Sequence, residues 1–225
     1  MKKITAKISL SVALLLAAGV LAHAASYNTA TETTGWQGLG FTDTLYLSQF
    51  DTSLGTLTGV TLHITDTEQA EVTIENGSAS PASITVSLTG LVTAKDNHGI
   101  SSTVDLSQDW GPYSMLGNEG PIIPTYNGSG PDFQDLGIIM SSATDTASSS
   151  DLSLYEGSGT VPIAIHASGG WNASGSTAYS LNINEFVGEG SVYATYTYIS
   201  VPEPSSALFL GLGGLALLCY RRVTR

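Results

Sequence analysis

Apolar residues alternate with hydroxyl-bearing or other small polar residues along much of the chain, and this alternation constrains the fold more than any other feature. Val60, Leu62 and Ile64 interleave with Thr61, His63 and Thr65, and Ile84, Val86 and Leu88 with Thr85, Ser87 and Thr89. Val161, Ile163 and Ile165 interleave with Pro162, Ala164 and His166. Val192, Ala194, Tyr196 and Tyr198 do the same with Tyr193, Thr195 and Thr197. Successive side chains of a strand point to opposite faces, so each segment predicts a strand with one buried and one wet face. No stretch between residues 25 and 200 sustains a helical period. Asn76-Gly77, Asp96-Asn97-His98-Gly99, Asn127-Gly128 and Gly169-Gly170 read as turns between strands. Residues 111–131 read as a long irregular connection, and Pro162, which has no N–H to donate, as an edge-strand residue. The expected fold class is all-β: one antiparallel β-sandwich domain over residues 25–200, between a signal peptide and a C-terminal transmembrane helix.

Charge is segregated along the chain. Of seven basic residues, Lys2, Lys3 and Lys7 lie at the start, Arg221, Arg222 and Arg225 at the end, and Lys95 alone lies between. Residues 25–200 therefore set one lysine against 18 acids, a formal charge of −17. A body so negative is repelled by nucleic acid and anionic lipid, which excludes basic-patch functions.

Both ends read as addresses. Residues 1–24 have a lysine-bearing start, an apolar run over 8–21 and the small-x-small sequence Ala22-His23-Ala24. That is the grammar of a secretory signal peptide cleaved before Ala25, so its partners are the Sec translocon and signal peptidase. At the other end, Val201-Pro202-Glu203-Pro204 forbids regular structure because two prolines fix φ and remove two donors. Ser205 and Ser206 suit a helix start, residues 207–220 are apolar throughout, and Arg221, Arg222 and Arg225 form a basic stop that stays cytoplasmic. Residues 205–220 would make a helix of roughly 24 Å, just short of a bilayer core of about 30 Å.

The sequence Val-Pro-Glu-Pro-Ser-Ser, the short Gly/Leu-rich segment and the terminal arginines resemble the PEP-CTERM sorting signal of Gram-negative bacteria over residues 201–225. The resemblance implies recognition of Pro202-Glu203-Pro204 by an exosortase, a membrane transpeptidase. It also implies an inner-membrane single-pass intermediate before delivery to the cell surface or the extracellular matrix. The label "ice-binding protein C-terminal domain", sometimes attached to such tails, describes the tail and not the body. Within the body, the run from Leu47 to Leu57, Leu-Ser-Gln-Phe-Asp-Thr-Ser-Leu-Gly-Thr-Leu, resembles the opening phrase of choice-of-anchor E domains, with Ser48 and Thr52 where that family has prolines. That resemblance implies a β-rich domain carried by different surface anchors, and no activity.

Candidate chemistry is sparse. His63, His98 and His166 are far apart in sequence, and the sole cysteine, Cys219, lies in the tail, so no local metal motif and no disulfide arises. There is no Gly-x-Ser-x-Gly elbow. Asp66, Glu68 and Glu71 crowd what reads as a hairpin, and Asp132 and Asp135 a loop, but no Asp-x-Asp-x-Asp-Gly calcium loop occurs. These acids read as a solubilising surface. Trp36, Trp110 and Trp171 stand apart in sequence and read as packing residues. The sequence thus predicts no catalytic residue, cofactor or metal site. It points to an exported, non-enzymatic surface or matrix protein acting in the envelope or in extracellular polysaccharide. A carbohydrate-binding or carbohydrate-cleaving module is the alternative.

Overall fold

The computed structural model describes residues 23–97, 100–118 and 127–201, together with Gly211, Gly213 and Gly214. The described strands are β1 (Ala24–Asn28), β2 (Glu32–Thr33), β3 (Gln37–Gly38), β4 (Thr42–Ser48) and β5 (Gly55–Asn76), followed by β6 (Ala82–Lys95), β7 (Ser101–Met115), β8 (Phe133–Ser149), β9 (Thr160–Ser174) and β10 (Tyr179–Ser200). They form two antiparallel sheets. One has the order β1-β10-β5-β8, with β2 and β3 also on β10, and the other the order β4-β9-β6-β7. The sheets face each other across a shared core, as the alternation requires: Leu62, Ile64, Val86, Leu88, Ile163, Ile165, Val192 and Tyr196 are fully buried.

The first sheet is built on β5 and β10, each of 22 residues, which pair from Gly55↔Ser200 to Asn76↔Tyr179. The chain between β2 and β4 crosses from this sheet to the other. Gln37 and Gly38 pair with β10, the Gly40 N–H then donates to the Ala167 carbonyl of β9, and Thr42 begins the β4–β9 ladder. This crossover brings Leu39 over the gap between the sheets.

The core has two parts. One gathers Leu45, Phe50, Leu62, Val92, Ile163 and Tyr196, and the other Val72, Ile74, Ile84, Val86, Met115 and Ala173. Between them on β5 lie Asp66 and Glu68, both inward-facing and without solvent exposure.

Several expectations are corrected. Gly169-Gly170 is not a turn but lies inside β9, where Gly90↔Gly169 and Thr89↔Gly170 pair. A side chain at Gly169 would occupy the space of the Glu68 carboxylate and Leu39, so glycine serves packing there. Pro162 lies in an interior strand, yet pairing with β6 begins only at Ala164, so β4 alone flanks it. Asp66, Glu68 and Glu71 belong to the middle of one long strand rather than to a hairpin. The segment 111–131 begins as strand, since β7 runs to Met115.

The predicted membrane helix over 205–220 falls almost wholly outside the described residues, of which Gly211, Gly213 and Gly214 are helical. Among the described residues no helix is long and apolar enough to cross a membrane.

Candidate functional site: the sorting pole and the buried acids

Ala24 and Ala25, which flank the expected signal-cleavage bond, open β1; Ala22 lies outside the described residues. β1 pairs with the end of β10 through Ala24↔Ile199, Ala25↔Tyr198 and Tyr27↔Tyr196. Tyr27 fixes this pairing. Its ring lies 6.0 Å from Phe50, 5.4 Å from Tyr196 and 6.1 Å from Tyr198, and such aromatic contacts add to plain area burial. Tyr196 is fully buried and donates its hydroxyl proton to the Ser48 carbonyl at 2.7 Å. Burial pushes its phenol well above the usual tyrosine range.

The phrase around Gln49-Phe50-Asp51 is the corner of this pole. The Gln49 amide donates to the Leu154 carbonyl at 2.8 Å and accepts from the Gly159 N–H at 2.9 Å, while Asp51 accepts from the Ser53 N–H. The last described backbone bond runs from the Val201 N–H to the Leu54 carbonyl, at 3.1 Å. Pro202 follows directly. Val201, the first residue of the expected sorting motif, is thus held at the sheet end, while Pro202, Glu203, Pro204, Arg221, Arg222 and Arg225 lie outside the described residues. Both predicted addresses converge on one end of the domain.

Elsewhere the candidate residues scatter. His63 stacks on Tyr193 at 4.3 Å and bonds Thr195 on the outer face, and His166 is exposed beside Thr42; His98 lies outside the described residues. Among the described residues no three His, Cys, Asp or Glu side chains converge. Trp110 and Trp171, distant in sequence, meet at 5.4 Å, and Trp171 also packs on Phe186, while Trp36 is exposed on the crossover. Asn76, which begins a glycosylation sequon, is fully buried with its amide donating to the Ser80 and Leu116 carbonyls, so it cannot carry a glycan in the folded domain.

The acids divide sharply. Glu71 and Asp135 are exposed, but Asp66, Glu68, Glu75 and Asp132 are buried. No carboxylate oxygen of Asp66 or Glu68 has a hydrogen-bond partner. Burial raises Asp66 to about 6, and burial followed by the neighbouring Asp66 charge raises Glu68 to about 8. Alternation alone could not find this pair, because a charged residue in an inward position reads as a break in the pattern. Gly90 and Gly169, which make room for the Glu68 carboxylate, were the available signal.

Residues 200–223 match the family described as the PEP-CTERM protein-sorting motif. The chain therefore carries a PEP-CTERM signal, which implies recognition by an exosortase, export, and membrane-associated sorting to the surface. No curated protein matches the chain in sequence. Among solved structures, the infectious bursal disease virus Gx strain is 12% identical at a TM-score of 0.20, over 82% of this chain and 42% of that one. Desmodium yellow mottle tymovirus is 8% identical at 0.22, over 83% and 93%. The chain spans less than half of the bursal virus chain, and scores this low imply nothing about its role.

Proposed function

We propose that this is a non-enzymatic cell-surface or matrix protein of a Gram-negative envelope. Its β domain, of choice-of-anchor E type, is exported by the Sec route, held briefly in the inner membrane by a helix over 205–220, and handed on by an exosortase. The observation that carries this reading is the match of residues 200–223 to the PEP-CTERM protein-sorting motif, which starts where β10 ends at Ser200. A transpeptidase needs an extended, accessible segment, and two prolines keep that segment out of both the β10 ladder and the following helix. Glu203 supplies one negative charge between two rigid residues for a basic pocket to read. The carbohydrate-module alternative gains no support from Trp110 and Trp171, which are half-buried against each other.

Replacing Pro202, Glu203 and Pro204 together by alanine tests the reading. Full-length protein should accumulate in the inner membrane, and the surface fraction should fall at least tenfold by immunoblot. Surface delivery at normal level and size would leave the tail a plain anchor and sink the exosortase role.

A further inference from the structure

Asp66 and Glu68 sit two residues apart on the inward face of β5, in the middle of the sandwich. Their surroundings are shaped around them. A Cβ at Gly90 would collide with Glu68 Oε1, and one at Gly169 would lie 2.8 Å from both carboxylate oxygens. Gly190 is the register partner of Asp66 on β10, and Gly188 that of Glu68. Leu39 closes the open side: its Cδ atoms lie where side chains at Gly169 and Gly188 would begin. Gly90 and Gly169 thus leave the space that the Glu68 carboxylate fills under the crossover, and Gly188 and Gly190 stand beside the two acids on β10.

What is missing is countercharge. Two adjacent carboxylates in an apolar interior are strongly unfavourable unless neutralised. Among the described residues no cation is shown to meet them: the body's one lysine, Lys95, is exposed at the end of β6, and His63 and His166 lie on outer faces. Against the Glu68 carboxylate the facing strands present Gly90 and Gly169, with Leu39 beside them, and none of these titrates. Glu68 has one charged neighbour, Asp66 itself. Protonating Glu68 leaves the Asp66 carboxylate as the one candidate acceptor for its O–H, and the other carboxyl oxygens still have no donor.

We propose that Asp66 and Glu68 form an internal binding site for a divalent cation of calcium type, reached beneath the Leu39 crossover. Hard cations prefer carboxylate oxygen, and two bidentate carboxylates would supply four of the six to eight oxygens calcium takes, with water and backbone carbonyls as the remaining donors. The bound ion would bridge β5 to the glycine-bearing strands opposite and join the two halves of the core. Affinity should fall in the range of roughly 0.1–1 mM that suits extracellular modules.

Binding must also displace protons. A carboxyl raised in the folded state favours the protonated fold, so its contribution is fully present below the unfolded value near 4 and is lost as pH rises through the folded one. Without a divalent cation, stability should therefore decline across the values of about 6 and about 8 set by Asp66 and Glu68. A bound cation should flatten that decline.

The test uses the exported chain after EDTA treatment, with CaCl2 or MgCl2 as the probe. At pH 7.5 saturating CaCl2 should raise Tm by roughly 5–10 °C at a hundredfold excess over Kd. Glu68→Gln and Asp66→Asn should each abolish the response while remaining folded by circular dichroism. Should either variant fail to fold, calorimetric titration of the wild-type chain with CaCl2 decides: saturable binding of about one ion per chain is expected, and none overturns the site. No calcium-dependent shift between pH 6 and 9, or an unchanged shift in Glu68→Gln, overturns the site. A pH dependence that calcium leaves untouched overturns it as well, leaving a buried acid pair alone.

Discussion

Glu75 and Glu68 are seven residues apart on the same strand, and both are buried, yet the fold treats them in opposite ways. The Glu75 carboxylate accepts backbone N–H groups from Asn127 at 3.1 and 3.3 Å and from Gly128 at 3.3 Å. It ties the segment entering β8 to the end of β5. Glu68 accepts nothing. A carboxylate met by backbone donors is a structural clamp, whereas a carboxylate met by glycine is an open valence. The same side chain in the same strand acquires two roles because one faces a loop with free N–H groups and the other faces a sheet whose N–H groups are already paired.

The largest expected effect comes from adding a third inward carboxylate with neither device. Val86→Asp places a charge in the far core cluster and should cost about 3–5 kcal/mol in urea denaturation, whereas outward Thr85→Asp should cost about 0.5 kcal/mol or less. Equal costs would mean that the strand phase is wrong. Next comes Gly90→Ala, which drives a methyl into Glu68 and should cost about 1–3 kcal/mol. In a Glu68→Ala background the same change should become nearly neutral, and a double-mutant cycle without coupling would show that the glycine serves some other purpose. The smallest effect separates the two glutamates directly. Glu75→Gln weakens charge-assisted bonds and should cost about 1 kcal/mol in EDTA at pH 8, while Glu68→Gln relieves a buried charge and should be neutral or stabilising. Loss of stability in both would erase the distinction between clamp and open valence.

Much of the architecture was legible from alternation, since Ile84, Val86 and Leu88 in β6 and Val161, Ile163 and Ile165 in β9 are buried in the expected phase. The limits of strands were less so. Gly169-Gly170 has turn composition, and only its nonlocal neighbour Glu68 explains why glycine lies in mid-strand. The meeting of Trp110 with Trp171 likewise depends on β6 standing between β7 and β9, a pairing that local pattern does not encode. Of the candidate site, the sorting segment was readable because its chemistry is contiguous. The acids of β5 were misread as solvent-facing because a run of hydroxyls and carboxylates carries no sign of which face is in.

The pairing of the first strand with the last has a consequence for timing. The bond between Ala24 and Ala25 lies inside β1, and once that strand has docked, its backbone is engaged with Ile199 and Tyr198. A protease that binds its substrate extended must therefore act while β1 is still free. The chain guarantees such an interval, because the partner strand is among the last parts of the body to be made. At about 5–20 residues per second, synthesis of the intervening segment takes roughly 10–35 s, during which β1 has no strand to join. On the export route proposed above, placing the two ends side by side would turn the length of the polypeptide into a clock, with a leader cleaved at Ala25 removed before the final strand closes the domain.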